Sequence, residues 1–190
     1  MSIYPLEKNT VGIVTLAFLG TLGIVVRMFV RIPLIPGLLE LTPGFLFSEL
    51  GGVVGGIPGG ILVGTIVGIG GAIAGGEVPL LPLIGNMALG LGTGYAIHIT
   101  KTRDGIKYAI LAILGGGIIG GFIPSMTIFA GVGVPFETVF FYAFMDMIQA
   151  FLWAIVAIVV EKQIIRPVIG HYLYPNMGAK EELVEDPKDD

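Results

Sequence analysis

The sequence predicts an all-α integral membrane protein built as a bundle of about six transmembrane helices. Apolar residues make up 54% of the 190 residues, and the mean hydropathy is +0.93. Charged residues make up only 13%, about half the share of a typical soluble domain. Because one span needs about 20 apolar residues, six spans with short connections would occupy nearly the whole chain, which leaves no room for a second large domain.

Apolar runs bounded by charges, prolines and glycines define the predicted spans. They cover residues 11–30, 43–57, 59–76, 79–98, 107–130 and 138–160. The first run is longer than the apolar core of a cleavable signal peptide, about 7 to 15 residues, so we expect it to be a retained helix. Between the second and third spans, GGVVGGIPGG at 51–60 predicts a tight turn, with a broken helix or a re-entrant segment as the alternatives.

The distribution of Lys and Arg predicts the orientation, because cytoplasmic loops are enriched in both. With the N-terminus inside, only Arg27 and Arg31 lie outside. The cytoplasmic side then receives eight of the ten: Lys8, Lys101, Arg103, Lys107, Lys162, Arg166, Lys180 and Lys188. We therefore expect a multi-pass protein of the cell membrane with both termini cytoplasmic. Residues 1–170 would form the transmembrane domain, and 171–190 an acidic, disordered tail.

Small residues recur four apart in several spans, a spacing that lets helix backbones approach closely in lipid. The repeated positions are Gly60, Gly64 and Gly68, then Gly71 and Gly75, then Gly116 and Gly120 with Gly117 and Gly121, and Ala150, Ala154 and Ala157. The pattern predicts helix packing within the chain. A docking face for another subunit is the alternative.

Ionisable and amide groups inside a membrane are costly to bury, so they are the first candidates for a functional site. At a rise of 1.5 Å per residue, Glu49, Asn86 and Asp146 fall roughly 9, 10 and 12 Å below the outer ends of their spans, and Arg27 reaches the same outer half. We predict that these four residues contact a substrate. The alternatives are a structural ion pair of Arg27 with Glu49 or Asp146, and an interhelical hydrogen bond for Asn86.

The sixth span adds three candidates at helical spacing. Tyr142, Asp146, Gln149 and Trp153 are spaced 4, 3 and 4, which places them on one face, while an alanine face lies about 100° away. Aromatic walls with a few polar anchors are typical of a small-molecule site, so Tyr142, Gln149 and Trp153 are also predicted to bind substrate. For Trp153, packing in the core or against lipid is the alternative.

The sequence lacks the residues that several kinds of catalysis and binding require. The chain has no cysteine, and its two histidines, His98 and His171, make a poor set of metal ligands. There is no GxxxxGK(S/T) phosphate loop, GxSxG elbow or HExxH helix, and no basic-aromatic stripe for nucleic acid. We therefore predict no enzyme activity, no cofactor, no bound metal and no nucleic-acid partner, and any pumping must be powered by another subunit.

The order of small residues and span ends resembles a known family. Ala17 and Thr21 lie four apart in the first span, and a Gly-rich pair of spans with GGIPGGILVGTIVG follows. The fourth span, LIGNMALGLGTGYAIHI, ends in a basic loop, and the last, FMDMIQAFLWAIVAIVVEK, ends in charge. Over residues 11–166 this resembles the substrate-binding S components of energy-coupling factor (ECF) vitamin transporters. The chain departs from nickel- and cobalt-binding members, which begin with a Met-x-His arrangement, because it begins Met1, Ser2, Ile3.

The resemblance implies a membrane-embedded subunit that captures a vitamin or related small metabolite from outside. A coupling transmembrane subunit and an ATPase pair would drive uptake, and membrane lipid would surround the bundle. The family's AxxxA docking motif implies that Ala17 and Thr21 contact the coupling subunit, although Thr replaces its second Ala. The first outer loop, 31–41, would close over the substrate.

Two other functions remain open from the residues alone. One is a membrane scaffold subunit without transport, in which the buried charges are structural. The other is a stand-alone channel or permease with 51–60 as a re-entrant pore element. The substrate's charge is also open, because Arg27 and Arg31 favour an anion whereas Glu49 and Asp146 favour an amine.

Overall fold

The computed structural model describes residues 5–7, 9–30, 32–35, 39–75 and 80–174. Arg31, the tip of the first outer loop at 36–38, the connection at 76–79 and the predicted tail from 175 onward lie outside the described residues, as do Lys8, Lys180 and Lys188. The elements are α1 Thr10–Phe29, β1 Ile32–Ile35, β2 Leu39–Leu41, α2 Gly44–Gly75, α3 Leu80–Thr100, α4 Ile106–Leu114, a π-helical segment Gly115–Phe122, α5 Ile123–Thr127, α6 Phe136–Val160, a second π-helical segment Glu161–Ile165, and α7 Arg166–Leu173.

Helix α1 begins at a side-chain cap, because the Asn9 side-chain oxygen accepts a hydrogen bond from the Gly12 amide at 2.8 Å. The helix packs on α2 through Gly20 and Gly23. A Cβ at Gly23 would collide with Val67 and approach Phe47 to 2.9 Å. The absence of side chains at these positions therefore sets the distance between α1 and α2.

The first outer loop is more regular than the sequence suggested. Strands β1 and β2 form an antiparallel pair in which Ile32 faces Leu41 and Pro33 faces Glu40. The two strands place Glu40 and the following Thr42 at the end of the bundle that the charge distribution assigns to the outside. An otherwise helical fold thus carries a short β-hairpin, which the prediction of an all-α protein did not include.

Helix α2 reverses direction at Gly56, where φ is 63° and ψ is −157°. This backbone region is essentially restricted to glycine. The two arms lie side by side, since a Cβ at Gly51 would come within 2.8 Å of Val63, whereas residues twelve apart in a straight helix are separated by about 18 Å. The chain therefore makes a tight turn at Gly56, within the stretch 51–60, and the residues on both sides of it are helical.

The second arm of α2 packs on α3 through the predicted glycine repeat. A Cβ at Gly60 would fall among the backbone atoms of Gly90, at Gly64 among those of Asn86 and Met87, and at Gly68 2.6 Å from Leu83 Cα. Backbone atoms cannot rotate away as a side chain can, so these positions require glycine. The repeat serves packing within the chain, as the spacing predicted.

Helix α6 buries its alanine face against the rest of the bundle. Ala143, Ala150, Ala154 and Ala157 are fully buried, and Ala154 faces Gly116 in the π-helical segment that follows α4. Helix α6 continues through the second π-helical segment into α7. The helical unit therefore runs past the domain boundary that the sequence placed at 170, and Leu173 and Tyr174 are buried in it.

Five helical stretches of the described chain are long and apolar enough to cross a membrane. They are Thr10–Phe29, Gly44–Ile73, Leu80–Thr100, Ile106–Thr127 and Phe136–Leu173. The stretch from Gly44 contains the two arms that the sequence divided into separate spans. The architecture is that of a multi-pass helical membrane protein, and the number of crossings and the sidedness of the termini stay predictions.

Candidate functional site

A cavity of about 390 Å³ opens at one end of the bundle. The end of α1, the start of α3, the end of α5 and the first half of α6 meet there, beside strand β2. This is the end that the charge distribution assigns to the outside. The lining residues are Arg27, Glu40, Thr42, Phe45, Leu81, Pro82, Gly85, Asn86, Leu89, Gly120, Gly121, Ser125, Phe129 and Asp146.

Three of the predicted substrate-binding residues come together in this cavity: Arg27, Asn86 and Asp146. Asn86 is oriented by two hydrogen bonds, because its Oδ1 accepts from Ser48 Oγ at 2.8 Å and its Nδ2 donates to the Pro82 carbonyl at 2.8 Å. Each amide atom thus has one partner and keeps capacity for another. Asn86 also joins α2 to α3, so the interhelical role and the ligand role are compatible.

Asp146 is held by a hydroxyl. Ser125 Oγ donates to Asp146 Oδ2 at 2.6 Å, which links α5 to α6 across the cavity wall. Gly121 makes this approach possible, because a Cβ there would lie 2.7 Å from the Asp146 carbonyl oxygen. The glycines of the π-helical segment therefore let the chain bring a serine to the carboxylate.

The structure adds lining residues that the sequence reasoning missed. Glu40 and Thr42 reach the cavity from the β-hairpin, and Ser125 and Phe129 reach it from α5 and the segment that follows. The charge of Glu40 inside a short apolar loop was visible in RIPLIPGLLEL. Its position in the cavity depends on strand pairing, which the loop sequence did not predict.

Gln149 lies next to the cavity rather than in its wall. Its Oε1 accepts a hydrogen bond from the Thr42 amide at 2.9 Å, and the side chain is buried. The amide therefore ties the end of β2 to α6. Gln149 therefore contributes to the site by positioning the lining residue Thr42.

Glu49 is fully buried and does not line the cavity. Both of its carboxyl oxygens lack a hydrogen-bond partner among the described residues. The ion pair between Arg27 and Glu49 that the sequence left open is therefore not formed in this arrangement. Glu49 lies beneath the cavity, one helical turn after the lining residue Phe45.

Tyr142 and Trp153 do not line the cavity. Tyr142 is exposed on the surface of α6 and meets the Phe141 ring edge-on at 5.8 Å. Trp153 is half-buried, with its indole nitrogen enclosed and without a hydrogen-bond partner in the described part of the chain. The four-residue face predicted on the sixth span thus places one member, Asp146, in the cavity, and a second, Gln149, beside it.

The residues predicted to dock a partner lie on the exposed surface of α1, which faces away from the rest of the bundle. Ala17 and Thr21 are both exposed, and Thr21 Oγ1 donates to the Ala17 carbonyl at 2.9 Å. Because the hydroxyl is satisfied within its own helix, this surface is compatible with lipid or with a closely packed helix.

The opposite end of the bundle is closed by charged side chains. Arg103 donates from Nη2 to the carbonyls of Val54 at 2.8 Å and Pro5 at 3.3 Å, and from Nε to Val53 at 3.3 Å. Its guanidinium carbon lies 3.9 Å from the centre of the Tyr174 ring. Arg103 therefore caps the first arm of α2 where the chain turns at Gly56.

The same network continues into α7. Tyr174 donates to Glu161 Oε1 at 2.9 Å, Arg166 holds Glu161 through two hydrogen bonds of 3.0 and 2.7 Å, and Arg166 also pairs with Asp104 at 2.5 Å. Burial raises the pKa of the Tyr174 phenol, which keeps it a hydrogen-bond donor. This end of the bundle is cross-linked, whereas the cavity opens at the other end.

The side chains that line the cavity suit the reversible binding of a small molecule. It has a guanidinium, two carboxylates, an amide and hydroxyls on walls of leucine, proline and phenylalanine, which is the mixture of apolar area and few polar anchors found in small-molecule sites. Within the described ranges no group of three or more His, Asp or Glu side chains is placed to hold a metal ion.

The fold has a solved counterpart. The chain is similar to the crystal structure of the S component for biotin from an ECF-type ABC transporter, with a TM-score of 0.59 and 17% sequence identity over 80% of this chain and 91% of that one. No protein-family model and no curated protein sequence matches the chain. The chain therefore has the fold of an ECF S component.

Proposed function

We propose that this protein is the substrate-binding subunit of an ECF-type importer, and that it captures a vitamin or related small metabolite from outside the cell. The observation that carries the proposal is the cavity at the outer end, where Arg27, Asn86 and Asp146 converge from three helices of a chain with the S-component fold. ATP-driven uptake would then require a coupling subunit and an ATPase pair.

The lining supports a substrate with one anionic group and a polar ring. Arg27 lies at the end of α1 and suits a carboxylate, because a guanidinium binds carboxylates through two parallel hydrogen bonds. Asn86 and Asp146, farther along the chain on α3 and α6, suit the N–H and C=O groups of a heterocycle. Biotin, the substrate named for the similar structure, is therefore the first compound to test within a vitamin panel.

Mass spectrometry of small molecules that copurify with the protein identifies the ligand without prior assumption. Binding is then measured for the wild type and for Asp146→Asn, which keeps the shape of the side chain and removes its charge. Hydrogen bonds to charged groups contribute about 1.5–3 kcal/mol, so we expect affinity to fall roughly 10- to 150-fold. Glu137→Gln, an exposed acid at the start of the same helix, should leave affinity unchanged.

Two results would contradict the proposal. One is a folded protein that retains no small molecule and binds none in a broad vitamin panel, which would favour the scaffold function. The other is solute flux through liposomes that contain this chain alone, with no ATPase, which would favour a channel or permease.

The partner interface is proposed on the exposed face of α1. Ala17→Leu and Thr21→Leu would each place a bulky side chain where a helix must approach closely. We expect both variants to bind substrate normally and to lose copurification with the coupling subunit and its ATPases. Val159→Leu, which introduces leucine on the exposed surface of a different helix, α6, is the control. Normal copurification of both variants would move the interface elsewhere.

A further inference from the structure

Glu49 is a buried acid that the proposed binding site does not use. Its side chain is fully buried in the first arm of α2, and neither carboxyl oxygen has a hydrogen-bond partner in the described structure. An ionised carboxylate without a partner is among the most unfavourable groups to bury. A residue of this kind inside a membrane protein points to a bound species that the protein atoms alone do not show.

The surroundings of Glu49 are built from small side chains. The carboxyl lies in a notch that glycine leaves open, because a Cβ at Gly116 would come within 2.9 Å of Glu49 Oε1, 2.9 Å of Thr93 Cγ2 and 3.3 Å of Ala154 Cβ. Side chains of α2, α3 and α6 thus meet at this notch, and the groups from α3 and α6, a methyl of Thr93 and the Cβ of Ala154, carry no charge.

Thr93 is a polar side chain beside the notch. Its Oγ1 lies 3.1 Å from the Glu49 carbonyl and 3.2 Å from the carbonyls of both Leu89 and Gly90. The hydroxyl has one hydrogen to donate among these carbonyls, so it is engaged by the backbone. The methyl group of Thr93, rather than its hydroxyl, lies at the notch beside Gly116, so the two carboxyl oxygens of Glu49 are the oxygen ligands of the site.

The notch lies directly beneath the cavity. Glu49, Thr93 and Gly116 are each one helical turn deeper than a lining residue of the same element. Those lining residues are Phe45, Leu89 and Gly120. The shared one-turn offset on three elements places the carboxyl in the layer below the cavity floor.

Among the other titratable side chains on these elements, Tyr95 is two residues from Thr93 and lies against Gly115, and the rest are farther along their helices. At 1.5 Å per residue, His98 is about 7.5 Å from Thr93 and Tyr108 about 12 Å from Gly116. Asp146 and Glu161 are about 12 and 10.5 Å from Ala154, and Arg27 of α1 lies up in the cavity wall. Neither carboxyl oxygen has a hydrogen-bond partner among the described residues, so a charge on Glu49 would have to be balanced by a bound species.

We propose that Glu49 is the binding site for one monovalent cation, either a proton or Na⁺, held by its carboxyl oxygens beneath the cavity. A proton and Na⁺ meet the same requirement, because each carries one positive charge and binds to oxygen atoms. The site does not depend on the identity of the substrate. Its test therefore needs no substrate and can fail while the proposed function stands.

The test is thermal unfolding of the full chain in detergent, for the wild type, Glu49→Gln and the surface control Glu137→Gln. Na⁺ is replaced by choline at constant ionic strength in one series, and pH is raised from about 6 to 8.5 in the other. A cation that binds only the folded state lowers the folding equilibrium constant up to tenfold for each tenfold fall in its concentration. Stability is therefore lost as Na⁺ is removed or as pH rises, depending on the species.

We expect the wild type and Glu137→Gln to lose stability in one of the two series, and Glu49→Gln to be insensitive in that series because its side chain is already neutral. Sensitivity only to Na⁺ identifies sodium, and sensitivity only to pH identifies the proton. An equal response of the wild type and Glu49→Gln in both series overturns the proposal.

A second variant and a spectroscopic measurement guard against misfolding. Glu49→Met supplies a neutral side chain of similar length and repeats the comparison. In the wild type, infrared spectra of protein labelled with ¹³C-glutamate separate a protonated acid from a carboxylate. A protonated glutamate band, or a carboxylate band that shifts when Na⁺ is exchanged for choline, supports the site. A spectrum with neither feature contradicts it.

Discussion

Arg103 offers the sharpest test of how the closed end of the bundle is held. Arg103→Ala removes three hydrogen bonds to the carbonyls of Val53, Val54 and Pro5, and the stacking of the guanidinium on Tyr174. Val53 and Val54 are fully buried, so their carbonyls lose a partner that buried backbone groups rarely lack.

The size of the effect follows from these contacts. One hydrogen bond to a charged group contributes about 1.5–3 kcal/mol, and a cation–π contact about 0.5–2 kcal/mol. The contacts share one partly exposed side chain, so they do not add fully, and we expect a loss of about 3 kcal/mol. At about 2–4 °C per kcal/mol for a chain of this size, the unfolding midpoint should fall by roughly 6–12 °C.

The assay is thermal unfolding in detergent, followed by circular dichroism, with two reference variants. Lys107→Ala removes an exposed cation near the same loop and should change stability by less than about 0.5 kcal/mol. Arg103→Lys keeps the charge but lacks the planar fork that reaches several carbonyls, so its midpoint should lie between those of the wild type and Arg103→Ala. If Arg103→Ala unfolds at the same temperature as Lys107→Ala, the capping role is wrong.

Three further substitutions test the turn, the helix packing and the hairpin anchor. Gly56→Ala forces a side chain into a glycine-only backbone region and should cost about 1–3 kcal/mol, while Gly131→Ala, which has ordinary backbone angles, should cost far less in the same unfolding assay. Gly64→Ala drives a Cβ into the α3 backbone and should cost at least about 1–3 kcal/mol; an unchanged midpoint would mean that α2 and α3 are not in contact there. Gln149→Leu removes one hydrogen bond, about 1 kcal/mol, so the Thr42 amide should exchange its hydrogen roughly fivefold faster, and unchanged exchange would rule out the anchor.

The sequence predicted the packing of the helices well because the signal is local. Glycines four apart at Gly60, Gly64 and Gly68 mark one face of a helix, and the structure places that face against α3. The same logic identified the alanine face of α6, whose four members are fully buried. The reversal at Gly56 was also predictable from the sequence, because six glycines and a proline in ten residues do not favour an ordinary straight span.

The candidate site was only partly predictable, because its members meet through long-range contacts. Depth along each span placed Arg27, Asn86 and Asp146 in one layer, and these three line the cavity. The spans do not reveal how deep the cavity reaches, however, so Glu49 was grouped with these residues although it lies one helical turn below the lining residue Phe45. Glu40 was missed because its place in the cavity depends on strand pairing.

The two ends of the bundle have different physical characters, and the difference bears on where movement can occur. At the closed end, Arg103 ties the loop 101–105 to the first arm of α2 near Gly56, and Asp104 of the same loop pairs with Arg166 of α7, so separating these elements would break several interactions at once. At the cavity end, the β-hairpin is joined to α6 by the hydrogen bond between Thr42 and Gln149, whose net contribution is only about 1 kcal/mol. Entry of a ligand should therefore displace the hairpin and leave the closed end unchanged, so that hydrogen exchange altered by substrate should map to residues 39–42 and spare the carboxyl end of α3.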